Sequence, residues 1–214
     1  MTRTPLIAAS LVAICLATVA AIAHADTPTV EFDGQQYHLD YQDQAKPENG
    51  QPGNGLAEFT LQGETVNNWT KLFAYYSFPQ SGDDPSLMAA EVGKAVVETN
   101  PGANYALYEN KKDGDAIIDF LTWAPESDVM EFNVFKYARA EYGPGLVALQ
   151  YAQRIKDGDL DVEGMQALRA RAVAEMAQAE IAQARQYFAA KAKVQTGASE
   201  EPRRDAATPA GANQ

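Results

Sequence analysis

The stretch that decides the fold runs from Val129 to Ile155 and reads VMEFNVFKYARAEYGPGLVALQYAQRI. In its first part the even positions 130–134 hold Met, Phe and Val, whereas the odd positions 131–135 hold Glu, Asn and Phe. This period of two predicts a β-strand with two different faces. Tyr-Gly-Pro-Gly at 142–145 predicts a turn, and the apolar run after it predicts a second, antiparallel strand.

A second pair of strands precedes this stretch. Residues 103–110 and 115–124 are apolar-rich runs without a helical period, and Lys111 to Gly114 between them are typical of a hairpin turn. Further upstream, residues 56–63 and 72–79 predict two more strands, joined by one or two helical turns at 63–72. Successive antiparallel strands of this kind form a meander, whose apolar face has to be covered by helices.

Two segments supply the helices. Asp84 followed by Pro85 is typical of an N-cap and a first helical residue, and predicts a helix to about Glu98. The apolar positions 87, 88, 92, 96 and 97 are expected to form its buried side. Residues 160–193 are rich in Ala, Gln, Glu and Arg, and predict one long helix whose first half packs on the sheet.

The predicted fold class is therefore α+β: an antiparallel β-sheet meander covered by helices, with a long C-terminal helix. Thr29 to Tyr41 predict a hairpin that turns at Asp33-Gly34. The predicted organisation is a signal peptide at 1–25, this hairpin and a polar linker at 26–55, the α+β domain at 56–193, and a disordered tail at 194–214.

Residues 1–25 have the three parts of a secretory signal peptide. Arg3 supplies the positive charge, residues 6–23 are uncharged, and Ala23-His24-Ala25 matches the small-x-small cleavage pattern. We expect cleavage after Ala25, secretion into the periplasm, and a mature chain that is not an integral membrane protein. An uncleaved anchor is the alternative. A lipoprotein is disfavoured, because Ile14 precedes Cys15 where a small residue is expected.

The chain is strongly acidic, with 17 basic and 29 acidic residues and a net charge of −12. Loss of Arg3 with the signal peptide makes the remaining chain one charge more negative. Such a charge repels nucleic acid, and we expect no nucleic-acid partner. It permits cationic partners, but a solvated acidic surface is the simpler interpretation.

Residue types that carry common catalytic chemistry are scarce. Beyond residue 25 the sequence has no cysteine, and His38 is its only histidine, so the usual nucleophilic triads lack their parts. Asp115 and Asp119 lie on one side of a predicted strand, and are the candidate pair for a carboxylate-dependent hydrolase.

Residues 157–163 read Asp-Gly-Asp-Leu-Asp-Val-Glu, and their alternating carboxylates resemble the start of a calcium-binding loop. An EF-hand would require glycine and glutamate where Val162 and Leu168 stand. The acidic residues are better interpreted as the first turn of a helix, where carboxylates interact favourably with the helix dipole. We therefore expect no metal site and no cofactor.

The most suggestive residues for binding lie in the predicted strands. Asn133, Gln150 and Arg154 are polar residues within apolar runs, and Arg154 is in phase with Gln150. Trp69 adds an aromatic side chain of a type that is common at binding surfaces. These four residues are the candidate binding site, although aromatic residues in such a domain often belong to the core.

The sequence between Asn68 and Ile155 resembles a group of small exported proteobacterial proteins without an assigned activity. The resemblance lies in Asn68-Trp69-Thr70, in Glu131-Phe132-Asn133-Val134-Phe135-Lys136-Tyr137, and in Leu149-Gln150-Tyr151-Ala152-Gln153-Arg154. The order of elements is also similar to the Mog1/PsbP-like α/β sandwich. That similarity implies a binding or assembly factor, although a fold alone does not define a function.

The sequence leaves two functional hypotheses. The first is a non-enzymatic binding or accessory protein of the bacterial envelope, whose partner is another envelope or exported protein. The second is a periplasmic hydrolase that uses carboxylates alone. Self-association through residues 160–193 is a further expectation for the partners of this chain.

Overall fold

The structure, a computed structural model, describes residues 27–47, 52–110, 112–141 and 143–195. The signal peptide predicted at 1–25 lies outside these residues, and so does the predicted tail beyond Gln195. Within the described ranges, no helix is both long enough and apolar enough to cross a membrane.

The described residues form eight strands and three helices, which confirms the α+β class. The strands are β1 (Thr29–Phe32), β2 (Gln35–Gln44), β3 (Gly55–Leu61), β4 (Lys71–Phe78), β5 (Tyr105–Asn110), β6 (Asp115–Trp123), β7 (Val129–Arg139) and β8 (Leu146–Lys156), and the helices are α1 (Pro85–Thr99), α2 (Val162–Gln178) and α3 (Ile181–Gln195). All strands join one antiparallel sheet in the order β1-β2-β3-β4-β8-β7-β6-β5. The predicted meander is the half from β5 to β8.

The N-terminal hairpin belongs to this same sheet. Asp33 and Gly34 both have positive φ angles, 50° and 66°, as in the two-residue turns that suit hairpins, so the predicted turn is confirmed. β2 continues to Gln44 and pairs with β3 from Tyr37↔Leu61 to Gln44↔Gly55. The polar residues after Tyr41 therefore begin as strand, and they do not separate the hairpin from the rest of the sheet.

The central strands β7 and β8 give the sheet two different faces. Phe132 and Val134 point to one face, where they join Tyr151 of β8 in the aromatic core under α2 and α3. Phe135 lies on the opposite face, in the cluster that contains residues of α1, and Asn133 shares that face by strand alternation. We call these the α2 face and the α1 face. The predicted alternation of β7 is confirmed.

The start of α1 is also as predicted. The Asp84 side chain accepts hydrogen bonds from the backbone N–H groups of Ser86 and Leu87, at 3.0 and 3.1 Å. Pro85 is the first helical residue, where its fixed φ suits the helix and its missing N–H costs no hydrogen bond.

The buried side of α1 agrees with the prediction in part. Met88, Val92 and Val96 pack on the core of the α1 face, whereas Leu87 and Val97 are exposed. The small residues Ala89 and Gly93 are also buried, and a Cβ on Gly93 would lie only 2.6 Å from the Tyr105 ring. The helix therefore packs closely on β5 through small residues that the apolar pattern did not include.

The single helix predicted over 160–193 is instead two helices, α2 and α3. Ala179 between them has an extended ψ of 135°. The Lys136 ammonium donates hydrogen bonds to the carbonyl oxygens of Ala177 and Ala179, at 3.1 and 2.9 Å. Cations near a helix C-terminus stabilise its unpaired carbonyls. A lysine on the sheet therefore marks the end of α2, which the helical sequence pattern does not reveal, and α3 turns to pack on β8 and β4.

The segment before β4 does not form the predicted helical turns. Thr65 and Asn68 pair as an isolated bridge that closes a tight turn. The Glu64 carboxylate accepts hydrogen bonds from the Thr70 backbone N–H and hydroxyl, at 3.0 and 2.5 Å. These local side-chain hydrogen bonds compete with helix formation, and they place Trp69 over the sheet.

Candidate functional site

Gln150, on the central strand β8, joins two of its neighbours on the α1 face. The Tyr76 hydroxyl of β4 donates a hydrogen bond to Gln150 Oε1 at 2.6 Å. Gln150 Nε2 donates to Asn133 Oδ1 of β7 at 2.7 Å. The buried amides of Gln150 and Asn133 thus satisfy one another across two paired strands, as buried polar groups must.

The chain of contacts continues along β7 towards the edge of the α1 face. Asn133 Nδ2 donates to Glu131 Oε1 at 3.2 Å. Glu131 Oε2 lies 3.9 Å from Arg154 Nε, and the two side chains are 35% and 38% exposed respectively. The buried amide pair therefore leads to an ion pair that solvent can reach.

Arg154 in turn lies over Trp69. Its guanidinium carbon is 4.0 Å from the centre of the Trp69 ring, within the range of a cation–π interaction. Trp69 itself is buried on Leu72, Ala74 and Ala152. The arginine is held between an aromatic face and a carboxylate, with one edge open to solvent.

All four residues predicted from the sequence thus meet in one contact chain, Tyr76–Gln150–Asn133–Glu131–Arg154–Trp69, which we call the polar network. Sequence reasoning missed Tyr76 and Glu131 as members. Glu131 shares the phase of Asn133 in the strand pattern, which was an available signal. Tyr76 had none, because the pairing of β4 with β8 cannot be deduced from strand order alone.

The polar network occupies a gap between the covers of the α1 face. α1 lies over β5, β6 and β7, while Trp69 covers part of β4 and β8.

Burial, followed by the charges of Glu58 and Glu131, raises the pKa of Tyr76. The hydroxyl therefore stays protonated and remains a donor to Gln150.

A cavity of about 510 Å³ adjoins the exposed end of the network. Its lining consists of Thr122, Trp123, Ala124, Ser127, Val129, Glu131 and Arg154. It offers a carboxylate and a guanidinium beside indole and aliphatic surface. This set is suited to noncovalent recognition by hydrogen bonds and charge; the residues lining this cavity include no cysteine or histidine.

The two carboxylates considered for catalysis lie on the α2 face and are each paired with a cation. Asp115 Oδ2 is 3.4 Å from Lys136 Nζ, and Asp119 Oδ1 is 2.8 Å from Arg169 Nε. Four steps along the strand set their Cα atoms about 13 Å apart, and each carboxylate contacts a different cation. This arrangement favours two separate ion pairs over the closely spaced carboxyl pair of a glycosidase.

The acidic residues near 160 have structural contacts. The Asp161 side chain accepts a hydrogen bond from the Gly164 backbone N–H at 2.8 Å and caps α2, and Asp159 Oδ2 accepts from the Lys156 N–H at 3.3 Å. No cluster of three or more potential metal ligands is found within the part of the chain that the structure describes. His38 lies half-buried on β2, opposite Thr60.

Comparison with known proteins places the chain in a family without giving it an activity. No curated protein matches the sequence. A protein-family model matches residues 25–183, a range that includes every residue of the polar network. Since this match covers well over half of the sequence, the chain belongs to that family, which is an uncharacterised one.

Proposed function

We propose that this protein is a non-enzymatic binding or accessory protein of the bacterial periplasm, and that it docks another envelope or exported protein at the exposed end of the polar network. The observation that carries the proposal is the stacking of Arg154 on Trp69 beside Glu131, at the mouth of an open cavity. Arginine and tryptophan are the residue types most often found at the energetic centres of protein interfaces.

The buried half of the polar network supports this role by holding the exposed half in place. Gln150 and Asn133 are hydrogen-bonded on both sides, so Glu131 is fixed in position before any partner arrives. A pre-positioned surface loses less conformational entropy on binding than a mobile one. The partner that fits presents a carboxylate to Arg154 or a basic group to Glu131.

The periplasmic location is a prediction from the signal-peptide pattern of residues 1–25. The similarity to the Mog1/PsbP-like sandwich is likewise a prediction. Both predictions agree with an accessory role. Self-association through residues 160–193 also stays a prediction, but its apolar stripe, which includes Leu168, Ala172 and Met176, is buried against the chain's own sheet. We therefore place docking at the polar network.

The hydrolase hypothesis gains no support from Asp115 and Asp119, because each carboxylate is bound to a lysine or arginine that holds a helix. Replacing both by asparagine would weaken the packing of α2 as well as remove carboxylates. A loss of any activity in that double variant would have to be compared with its unfolding curve before it is assigned to catalysis.

Site-specific photocrosslinking in living cells tests the docking proposal. A photoreactive phenylalanine replaces Ala124, an exposed residue in the cavity lining, in a chain tagged at the C-terminus. The matched control carries the same group at Gln186, an exposed position on α3. We expect a discrete crosslinked protein from position 124 and none of the same mass from position 186.

A charge variant decides whether the polar network is responsible. Arg154→Glu should abolish the product from position 124, whereas Lys94→Glu, the same reversal on the exposed side of α1, should leave it. The double variant Glu131→Arg with Arg154→Glu keeps an ion pair but exchanges the positions of the two charges. It should also abolish the crosslinked product from position 124. An undiminished product in these folded variants would refute docking at this surface.

A further inference from the structure

A second cavity, of about 500 Å³, lies on the other face of the sheet, between β6 and the first turns of α2. Its apolar lining includes Leu121, Trp123, Phe132, Leu160 and Met165. Both its size and its mainly apolar lining are typical of sites for small ligands. We call it the α2 cavity; Phe132 and Leu121 place it on the α2 face, and Trp123 at its edge also lines the cavity beside the polar network.

One end of the α2 cavity is lined by charged side chains that already have partners within the protein. Asp119 is only 2% exposed; its Oδ1 lies 2.8 Å from Arg169 Nε in an ion pair, and its Oδ2 accepts a hydrogen bond from the Tyr108 hydroxyl at 3.0 Å. The second carboxylate of the lining, Asp161, accepts from the Gly164 N–H at the N-terminus of α2. The charges at this end are thus already matched within the protein.

The charges of the lining disfavour charged ligands. The lining holds two carboxylates, Asp119 and Asp161, against one guanidinium, so an anionic ligand would enter a site of net negative charge. An ammonium group would compete with Arg169 for Asp119 and would lose its hydration on entry. Arg169 uses Nε for Asp119 and keeps terminal N–H₂ groups at a side chain that is 45% exposed. It can therefore donate a hydrogen bond to an uncharged oxygen.

The mouth of the cavity carries apolar surface that faces water. Val162, in the lining at the start of α2, is 75% exposed. Gly102, also in the lining, has a φ of 94°, and the Trp123 ring lies 3.9 Å from where its Cβ would be. An apolar ligand in the cavity would cover the valine and contact the indole.

We propose that the α2 cavity binds one neutral, mainly apolar small molecule, whose carbonyl or hydroxyl oxygen accepts a hydrogen bond from Arg169. This cavity shares Trp123 with the cavity beside the polar network, but their other lining residues differ, and the proposal does not depend on docking at the polar network.

Trp123 provides a direct probe of occupancy. The chain has two tryptophans, so Trp69→Phe leaves Trp123 as the only one. The uncharged naphthalene dye Prodan, whose ketone oxygen can accept the hydrogen bond from Arg169, absorbs where tryptophan emits. Its binding in the cavity should quench Trp123 by energy transfer and brighten the dye. The anionic dye 8-anilinonaphthalene-1-sulfonate should bind about tenfold more weakly, a difference of about 1.4 kcal/mol.

Variants of the lining locate the dye. Leu121→Phe adds volume inside the cavity and should weaken dye binding about tenfold, whereas Val97→Phe, on the exposed side of α1, should not change it. Met165→Glu, which places a carboxylate in the lining, is the second blocking variant if Leu121→Phe does not fold. Circular dichroism identifies folded variants.

The proposal is overturned if the dye gives no energy transfer, if both blocking variants bind it as tightly as the parent, or if the sulfonate binds equally well. Transfer that appears only with a rise in mass by light scattering would indicate an interface between two copies and would also overturn it. Crosslinking from position 124 is also measured in Leu121→Phe. If the crosslinked product persists while dye binding is lost, ligand binding in the α2 cavity and docking at the polar network are independent of each other.

Discussion

The two faces of the sheet use polar residues in opposite ways. On the α2 face two buried charged groups of the sheet bind a helix: Lys136 binds the end of α2, and Asp119 binds Arg169 in its middle. On the α1 face the polar network joins strands to one another and to Trp69, and none of its hydrogen bonds reaches α1. Polar groups on the first face hold α2 to the sheet, while those on the second link strands and end at the partly exposed pair Glu131 and Arg154.

The largest loss of unfolding free energy is expected for Lys136→Met, on the α2 face. The lysine is 6% exposed and is the cation for Asp115 and for two carbonyls at the end of α2. Its loss leaves these groups without a partner, and breaking a buried ion pair in this way costs about 3–5 kcal/mol of unfolding free energy. Urea denaturation of the variant gives this value.

The matched control is Lys94→Met, which removes an exposed lysine that lies 3.8 Å from Glu98 on α1. Surface pairs of this kind contribute about 0.5 kcal/mol or less. Similar unfolding curves for the two variants would mean that Lys136 does not hold α2 on the sheet.

A smaller effect is expected at the centre of the polar network. Gln150→Leu leaves the buried Asn133 Oδ1 without its donor, at a cost of about 1–3 kcal/mol, and takes the acceptor away from the half-buried Tyr76 hydroxyl. The unfolding free energy should fall by an amount in this range, while the aromatic core on the α2 face is unchanged.

A double-mutant cycle with Tyr76→Phe separates this effect from a general loss of packing. If the hydrogen bond exists, removing the hydroxyl as well should recover part of the loss, so the double variant is less destabilised than the sum of the singles. Strict additivity would argue against the Tyr76–Gln150 contact and against the network's role in fixing Glu131.

Features of the fold with a local cause could be predicted from the sequence, whereas features that depend on distant residues could not. The alternation of β7, the Asp33-Gly34 turn and the Asp84 cap are local, and each was predicted because its cause lies within a few residues. The polar network was partly predictable, since Asn133, Gln150 and Arg154 interrupt apolar strands. In contrast, the end of α2 depends on Lys136, more than forty residues away, and no local pattern carries that information.

The same argument applies to the cavities. The α2 cavity is formed where α2 crosses β6, so its lining combines residues from 102 to 169. Its apolar members are ordinary core residues in the sequence, and they are distinguished only by the space left between them. The sequence singled out Asp119 only as a possible catalytic partner of Asp115, and it did not distinguish Arg169 from the other charges of an acidic chain.

The smallest effect is expected from Glu58→Gln, beside the polar network on β3. Burial, followed by the charge of Asp40, raises the pKa of Glu58 above its ordinary value of 4.5. A carboxyl with a raised pKa in the folded state contributes stability below its unfolded pKa, and this contribution is lost as the pH rises. Glu58→Gln should therefore stabilise the protein near pH 7, and the gain over the parent should vanish as the pH falls below 4.5.

Urea unfolding of the parent and of Glu58→Gln at several pH values measures this gain, with Glu91→Gln on the exposed side of α1 as the matched control. The partial burial of Glu58 and its proximity to Asp40 are what make the two substitutions differ. A gain at neutral pH that persists unchanged at acid pH would indicate better packing of the amide instead. Equal effects of both substitutions would mean that this edge of the α1 face is as solvated as the outer side of the helix.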